Sequence, residues 1–533
     1  MLHGLRKALR MLGLAGLALA GLAFCLAFAN VLNTGPVNLA RTRDVFLAAC
    51  ACLLLYAMAG SKPGAEAARL LRLCRAWLND PKAFGCAAAV VLVLYVADAA
   101  TQHLAFRTAS HDFSMLDEAL YHTTRGRLLF SPVLGRSFFS EHFSPILLVL
   151  ALPHRLFNSA WFLVLLQPVL LWSAIFPFRA LLKGSCRLER WQVNLLAILF
   201  LNHAVMISTL EYLFHMECLL PVLLLSTILC GERRRYPLYA ACLIATLSIK
   251  EDIGLYVCGL GLFYAVFRKR RVLGLLTLAL GIVWTALAVK CVIPLFSEST
   301  AVYPFTSRWQ SWGTRPAEIV VGFLAHPIRL AKRLLNPGVL ILLLSLAFVP
   351  LLRPRKGYWA LFLVPWLVNA TSDSHLQSGL KLYYGIPILT FMLAGVILAL
   401  RDGAVAWPAR ARYGAALAVL LVLLNGCHYE LPHIPRVRGA LLRDIARIPQ
   451  DTPVTASACL FPVLGYERQK ALLVSMSVPA TPVVLLKLGE QSWPLSETQS
   501  YTFAELCRAH GYVAYWRHGD FVGLKKGEHR DED

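Results

Sequence analysis

Long apolar runs recur through most of this chain and constrain its fold more than any other feature. Runs of roughly 17 to 25 residues, the length needed to cross about 30 Å of hydrocarbon, follow one another from the N-terminus to about residue 427. The sequence is 58% hydrophobic and only 15% charged, which is more apolar surface than a soluble domain can bury. We therefore predict a chain that crosses a membrane many times, and a single membrane anchor is excluded.

The strongly basic charge, +22 at pH 7, is explained by membrane orientation. Lys and Arg cluster in short segments between the apolar runs, and the positive-inside rule places such segments in the cytoplasm. The clusters lie at residues 62–75, 183–190, 232–235, 268–271, 353–356 and 401–412. This distribution predicts a cytoplasmic N-terminus in a bacterial inner membrane and argues against nucleic acid as a partner.

Counting crossings from a cytoplasmic N-terminus gives about thirteen transmembrane helices. The predicted spans lie near residues 8–30, 44–60, 84–105, 160–182, 190–208, 217–230, 237–249, 253–267, 272–293, 338–352, 356–370, 382–400 and 413–427. Residues 143–157 are predicted to lie in the interface or to re-enter, because only one crossing fits between the outward segment before them and the basic cluster after them. The basic start and Ala27-Phe28-Ala29 leave a cleaved signal peptide as an alternative to an uncleaved first helix.

The same pattern predicts three parts. Residues 1–83 hold N-terminal transmembrane helices and a basic cytoplasmic loop, 84–427 a transmembrane core, and 428–533 an extracytoplasmic α/β domain. Large outward loops are predicted at 106–142 and 294–337.

The last part shows strand and turn patterns instead of long apolar runs. Strands are predicted at Val454–Ser457 and Pro482–Lys487, a short helix at Phe503–His510, and a hairpin from Tyr512–Trp516 and Phe521–Lys525. Cys459 and Cys507 share this region, so one disulfide between them is open in an oxidising compartment.

Under this topology the unusual polar groups all face outward, at one end of the bundle. They are found in residues 112–142, at His215 with Glu217, at 250–252, at 303–315 and at 373–384. Arginines in basic loops are explained by orientation, but acidic and histidine residues at the opposite helix ends are not. These groups can line one cavity.

Each group has a functional and a structural interpretation. Asp112 and Asp117 have the chemistry for proton abstraction or metal binding, or they are ordinary acids in a solvated loop. His215 and Glu217 can bind a cation or a phosphate head group, or Glu217 simply caps a helix. Lys250 can meet a phosphate, or it pairs with a neighbouring acid.

Tyr303 and Arg308 combine aromatic and cationic side chains in the later outward loop. Aromatic residues at this level often anchor a protein in the membrane interface. The alternative is that the aromatic rings stack on a sugar while an arginine holds its phosphate in a bidentate contact.

The order of these motifs resembles that in a family of bacterial polytopic membrane proteins, domain of unknown function 2079 (DUF2079). The similar segments are Asp112–Tyr121, Glu141–Pro145, Phe214–Glu217 and Lys250–Asp252, and a looser similarity includes Ile448-Pro449 and Val454–Ser457. Two positions depart from the family pattern. Tyr383-Tyr384 stands where the family tends to have His-Tyr, and Val463 stands where it usually has a histidine in the outer domain.

That family looks like a branch of the GT-C glycosyltransferase superfamily, whose members use polyprenyl-phosphate sugars and keep an essential acid in an early outward loop. The resemblance implies a GT-C-like bundle and an inverting transfer in which Asp112 or Asp117 is the general base. It implies a lipid phosphate leaving group, for which the candidates that supply positive charge are Lys250, Arg308, His142 and His215. A divalent cation, Mg²⁺ or Mn²⁺, is a candidate cofactor. The remaining candidate binding residues are Glu217, Glu251, Asp252 and Tyr303.

Two other functional classes remain open. A transporter or flippase for a lipid-linked or anionic solute usually carries ionisable groups in mid-membrane and often shows inverted repeats. Here Asp98 and Lys290 lie near outward ends of spans, and no long repeat is visible. The second class is a non-catalytic scaffold that presents the outer domain, which has difficulty explaining several polar clusters gathered on one side of the bundle. The partners expected are membrane lipid, a polyprenyl-phosphate sugar and an acceptor that the sequence does not identify.

Overall fold

The computed structural model describes residues 69, 72–73, 75–108, 111–183, 188–297, 303–346, 351, 354–403, 431–472, 476–490 and 492–527. The predicted spans at 8–30, 44–60 and 413–427 lie outside these residues, as does the choice between a signal peptide and a first helix. The first span-length helix among the described residues therefore corresponds to the predicted third span.

Helices dominate the described part of the chain up to residue 403. In chain order they are α1 (Pro81–Leu104), α2 (His111–Thr123), α3 (Ile146–Phe157), α4 (Trp161–Ser173), α5 (Ile175–Leu182), α6 (Arg190–Leu201), α7 (Ala204–Glu211), α8 (Leu220–Glu232), α9 (Tyr236–Leu247), α10 (Ile253–Leu262), α11 (Arg271–Leu287), α12 (Ile293–Phe296), α13 (Pro316–Ala325), α14 (Pro327–Leu334), α15 (Pro337–Ser345), α16 (Ala360–Ala370), α17 (His375–Ser378) and α18 (Gly385–Arg401). Buried apolar side chains from most of these helices form one continuous cluster.

Five helical stretches among the described residues are long and apolar enough to cross a membrane. They are Pro81–Leu104, Trp161–Leu182, Arg190–Glu211, Arg271–Phe296 and Leu382–Arg401. Each overlaps a predicted span, so a polytopic helical bundle is confirmed to this extent. The count of about thirteen spans stays a prediction, because several other apolar helices are shorter. Helix α3, predicted to lie in the interface or re-enter, is 12 residues long. That length gives about 18 Å, too short to cross.

The two segments predicted as large outward loops contain helices. Residues 106–142 include α2 and a short antiparallel hairpin of β1 (Phe130–Ser131) and β2 (Arg136–Ser137). Helix α2 forms because Leu116, Ala119 and Leu120 recur at helical spacing and are buried. The acidic residues of α2 suggested a solvated loop. In the structure, Asp112, Asp117 and Glu118 each accept a hydrogen bond from a residue that is distant in the sequence. Residues 294–337 likewise contain α13 and α14.

A five-stranded sheet follows the bundle. Its strands are β3 (Val454–Ala456), β4 (Lys470–Leu472), β5 (Val483–Lys487), β6 (Tyr512–His518) and β7 (Phe521–Lys526), in the order β4-β3-β5-β7-β6. Strand β3 is parallel to both β4 and β5, whereas β7 is antiparallel to β5 and β6. Two helices accompany the sheet, α19 (Arg438–Ala446) and α20 (Glu497–Ala509).

Strand β5 is buried on both faces. Val483 and Leu485 pack in one cluster with residues of α19, and Val484 and Leu486 pack in a second cluster with residues of α20. Alternation along a strand sends successive side chains to opposite faces, so the helices cover the two sides of the sheet. The result is a three-layer α/β arrangement.

The sequence predicted most of these elements. The strands near 454 and 483 and the hairpin around residues 519–520 are present, whereas β4 and α19 were not predicted. Helix α20 begins earlier than expected, because Ser496 and Gln499 form a reciprocal cap at its start. Among the described residues Cys459 and Cys507 are free and buried. They lie in the clusters on opposite faces of the sheet, so they form no disulfide in this structure.

The sheet packs against the end of α1 and against α2. The rings of Phe106 and Phe521 lie 5.1 Å apart, and Arg438 Nη1 donates to the carbonyl of Leu104 at 2.9 Å. These contacts are made by residues between the end of α1 and the start of α2, the helix that carries Asp112 and Asp117.

Candidate functional site

Asp112 lies in the first turn of α2 and faces the helical bundle. Tyr212 donates a hydrogen bond from Oη to Asp112 Oδ2 at 3.0 Å, and His215 Nε2 lies 3.8 Å from the same oxygen. The Asp112 side chain is 30% exposed, while that of His215 is 2% exposed. Asp112 is thus an oriented carboxylate that solvent or a ligand can still reach.

A buried chain of charged groups continues from His215. Its Nδ1 contacts Glu217 Oε2, and Lys250 Nζ donates a hydrogen bond to Glu217 Oε1 at 3.0 Å. The three side chains are at most 6% exposed. The backbone of His215 is held in place by Gln167, whose Oε1 accepts from the His215 amide at 3.1 Å. Burying these charges is tolerable because each one has a partner.

Aromatic rings connect this chain to Arg308. Tyr383 stacks on His215 with ring centroids 3.6 Å apart, and its hydroxyl donates to Tyr384 Oη at 3.1 Å. The Arg308 guanidinium lies 5.4 Å from the centroid of Tyr384 and 4.6 Å from that of Phe305. Such cation–π contacts hold the guanidinium plane without neutralising its charge.

Glu251 organises the other side of the same region. It accepts from Tyr303 Oη at 2.6 Å and from the amide of Phe143 at 3.0 Å, and His142 Nδ1 lies 2.8 Å from Oε1. Burial on its own would raise the pKa of Glu251, but His142, Lys250 and the Tyr303 hydroxyl outweigh it and lower that pKa to about 2. Glu251 is therefore a fixed negative charge. The ring of His142 stacks on Phe305 at 4.5 Å, which links this group to Arg308.

Asp252 follows Glu251 in the chain, and its carboxylate contacts a residue of α10. It accepts a hydrogen bond from Tyr256 Oη at 2.9 Å. Burial raises the pKa of Asp252, and the neighbouring Glu251 adds to that effect while Lys250 opposes it.

The structure thus brings most of the sequence-predicted site residues into one set of contacts, the polar network. Its members are Asp112, His142, His215, Glu217, Lys250, Glu251, Tyr303 and Arg308, with Tyr212, Phe305, Tyr383 and Tyr384 between them. Sequence reasoning missed Tyr212, because a single aromatic residue among apolar residues looks like core. It missed Phe305, because an aromatic residue in an outward loop looks like an interfacial anchor. Tyr383 was noted only as a departure from a family pattern, yet it stacks directly on His215.

Asp117 does not belong to the polar network. His154 Nε2 lies 2.9 Å from its Oδ1, and Tyr466 Oη donates to its Oδ2 at 2.9 Å. The side chain of Asp117 is only 4% exposed. Positions five apart on a helix diverge by roughly 140°, which is why Asp112 and Asp117 face different parts of the molecule.

Glu118 makes a second contact with the sheet. Lys470 Nζ donates to Glu118 Oε1 at 2.6 Å, and the hydroxyl of Ser131 donates to Oε2 at 2.8 Å. Both side chains of the ion pair are at most 2% exposed. Asp117 and Glu118 therefore hold α2 against the C-terminal sheet, with Asp112 at the opposite side of the same helix.

A divalent cation at the polar network stays a prediction. Within the described ranges, no three His, Cys, Asp or Glu side chains converge as metal ligands. One Glu217 oxygen contacts His215, and the other accepts from Lys250. Positive charge in this region is supplied by Lys250 and Arg308.

Comparisons with known proteins place the chain in a family. The solved structures that are similar to it include that of ArnT from Cupriavidus metallidurans bound to undecaprenyl phosphate, with 13% identity, a TM-score of 0.46 and coverage of 83% of this chain and 98% of that one. Another is the arabinofuranosyltransferase AftD from Mycobacteria, with 13% identity, a TM-score of 0.43 and coverage of 84% of this chain and 40% of that one. Both TM-scores lie below 0.5, so neither likeness establishes the fold. No curated protein sequence matches the chain.

A family model matches residues 102–481, which is more than half of the chain and contains the whole polar network. The model describes predicted membrane proteins, in agreement with the five span-length helices. The resemblance drawn from the motifs between Asp112 and Asp252 is confirmed. The chain belongs to the DUF2079 family of predicted membrane proteins.

Proposed function

We propose that this protein is an inverting glycosyltransferase that uses a polyprenyl-phosphate-linked sugar at the extracytoplasmic face of the membrane. One observation carries the proposal. A partly exposed carboxylate, Asp112, contacts the buried group of His215, Glu217 and Lys250, and Arg308 belongs to the same network. A base beside cations is what transfer from a phosphate-linked donor requires.

Asp112 is the general base of this proposal. Tyr212 fixes one of its oxygens at 3.0 Å, and its exposure leaves room for an acceptor hydroxyl. The acceptor oxygen attacks the anomeric carbon, and its proton passes to the Asp112 carboxylate. The bond from the anomeric carbon to the phosphate oxygen breaks, and its electron pair remains on the lipid phosphate. A single displacement of this kind inverts the anomeric centre.

Asp117 is the weaker candidate for the base. Both of its oxygens already have partners, His154 and Tyr466, and it is almost completely buried. An acceptor hydroxyl would have to displace one of them. We assign Asp117 to positioning α2.

The lipid phosphate is bound by cationic and hydrogen-bonding groups of the polar network. The planar guanidinium of Arg308 suits two phosphate oxygens, and it is held by two aromatic rings and by Gln377 Oε1 at 3.2 Å. Lys250 adds a second positive charge. The increased charge on the departing phosphate favours these contacts in the transition state. No step in this scheme passes through a metal ion.

Orientation completes the proposal. In this proposal, the polar network and the C-terminal sheet lie on the extracytoplasmic side of a bacterial inner membrane that the chain crosses about thirteen times. The distribution of the basic clusters supports this orientation. In this proposal, residues 1–83 form N-terminal transmembrane helices and a basic cytoplasmic loop, 84–427 the transmembrane core, and 428–533 an extracytoplasmic α/β domain. The acceptor is left open, because the chemistry of a hydroxyl nucleophile is common to proteins, lipids and envelope polymers.

The first experiment is a donor panel. Purified full-length protein in lipid nanodiscs is incubated with radiolabelled polyprenyl-phosphate hexoses and pentoses, with and without EDTA. We expect the release of polyprenyl phosphate from at least one donor, and no loss in EDTA. Binding across a broad panel without turnover, together with movement of the donor across proteoliposome membranes, would favour the transporter or flippase instead.

A further inference from the structure

An open groove lies between α9 and α11, at the other end of these helices from Lys250. Its volume is about 680 Å³. Its walls are apolar and include Leu243, Ile244 and Leu276. At its floor, the buried hydroxyls of Tyr239 and Thr277 hydrogen-bond to each other at 2.7 Å. Because the floor is satisfied internally, the groove offers an apolar surface to an occupant.

The length of the groove along α11 matches the thickness of one leaflet of a bilayer. Its lining on α11 runs from Arg271 to Leu280. Nine helical steps of about 1.5 Å give roughly 14 Å, which is about half of a 30 Å hydrocarbon core. Ile244 is 56% exposed and Leu276 is 64% exposed, so the groove opens sideways from the bundle. A lipid acyl chain of one leaflet fits such a shape.

The mouth of the groove is positively charged. Arg234, Arg270 and Arg271 all line it. Arg270 is engaged, since its Nη1 donates to the carbonyl of Gly231 at 2.6 Å. Arg234 and Arg271 are exposed, and no hydrogen bond or ion pair involves either guanidinium in the part of the chain that the structure describes. Two uncompensated cations thus stand where the apolar groove ends.

We propose that this groove binds an anionic glycerophospholipid, with an acyl chain between α9 and α11 and its phosphate at Arg234 and Arg271. The charge complementarity decides between occupants. A transmembrane helix would cover the apolar walls but would leave the two guanidinium groups without a counter-charge, whereas a phosphodiester at the head-group level meets both. The polar network lies beyond the opposite ends of α9 and α11, so this proposal does not rest on glycosyl transfer.

The test is lipid binding by native mass spectrometry on the full-length protein in detergent. Phosphatidylglycerol is compared with phosphatidylcholine carrying the same acyl chains. The variants are R234Q/R271Q, the groove-filling Leu276→Trp, and R355Q/K356Q as a matched control. The control removes two exposed basic side chains outside the groove, so it changes the net charge equally. Melting temperatures establish that each variant is folded.

We expect phosphatidylglycerol to bind more tightly than phosphatidylcholine to the wild type. R234Q/R271Q should raise the dissociation constant for phosphatidylglycerol roughly 30-fold, while R355Q/K356Q leaves it unchanged. Leu276→Trp should weaken the binding of both lipids. Equal binding of the two lipids, an equal loss in R355Q/K356Q, or a protein dimer that Leu276→Trp dissolves would each overturn the proposal.

Discussion

Lys250 donates a hydrogen bond to Glu217 at 3.0 Å, although the two residues are 33 positions apart and both side chains are almost completely buried. The pair joins the segment before α8 to the segment before α10. The same Glu217 contacts His215, which lies 3.8 Å from Asp112. The position of the proposed base therefore depends on a buried ion pair.

Removing one partner of this pair should be far more damaging than removing both. Lys250→Met leaves Glu217 buried without its cation, so we expect a loss of about 3–5 kcal/mol in the free energy of unfolding. The double variant E217Q/K250M should recover most of that loss. Denaturation in detergent measures both, and a double variant that is no more stable than Lys250→Met would contradict the pairing. Donor binding should stay weak in both variants, because Lys250 is also proposed to meet the phosphate.

The contact between α2 and the sheet depends on a second buried pair, Glu118 with Lys470. Lys470→Met should loosen it, since a buried carboxylate is left with Ser131 as its remaining partner. Hydrogen exchange measured by mass spectrometry should accelerate in α2 and β4, and much less in α18. Lys487→Met serves as the control, because Lys487 pairs with the exposed Asp520. Unchanged exchange in α2 would show that the sheet does not hold this helix.

The lowered pKa of Glu251 predicts that the stability of the fold depends on pH. Burial would raise the pKa of Glu251, but His142, Lys250 and Tyr303 lower it from its ordinary value of 4.5 to about 2 in the folded protein. A carboxylate with a lowered pKa stabilises the fold fully above its unfolded value, and this contribution is lost as the pH falls from about 4.5 towards 2. The melting temperature of Glu251→Gln should therefore lie below that of the wild type at pH 7, with a gap that narrows below pH 4.5. A gap that stays constant down to pH 3 would contradict this ion pairing.

Two substitutions at Tyr383 distinguish the contribution of its ring, which stacks on His215, from that of its hydroxyl. Tyr383→Phe keeps the stacked ring and removes only the hydrogen bond to Tyr384, so donor affinity should change by less than about threefold. Tyr383→Ala removes the stack and should weaken donor affinity about tenfold. Titration of a labelled donor measures both constants. Equal losses in the two variants would show that the hydroxyl is the group that matters.

The sequence was sufficient for the features that arise locally. Long apolar runs located the five span-length helices, and alternation with turn residues located the hairpin of β6 and β7. The positions of the Lys and Arg clusters predicted that Asp112, His215, Lys250 and Arg308 lie on the same side of the membrane. The structure brings these four residues into one set of contacts. The reason is that positive-inside sorting and helix parity constrain which helix ends meet.

Contacts between distant segments were not predictable in the same way. Asp117 with Tyr466 and Glu118 with Lys470 join residues that are 349 and 352 positions apart. Neither periodicity nor charge links such positions, so the sequence could not separate the roles of Asp112 and Asp117. In the structure, Asp112 is partly exposed, whereas Asp117 is almost completely buried and has a partner for each of its oxygens.

The assignment of Asp112 as the general base is tested most directly by the turnover of the best donor by Asp112→Asn. Asp112→Glu and Glu141→Gln are measured beside it. Glu141 is a carboxylate in a predicted outward loop that pairs with Arg136 at 2.7 Å, outside the polar network. We expect Asp112→Asn to lower kcat by roughly 10²–10⁴ with little change in melting temperature, Asp112→Glu to retain part of the rate, and Glu141→Gln to match the wild type. A folded Asp112→Asn protein that releases polyprenyl phosphate at the wild-type rate would contradict the assignment of Asp112 as the base.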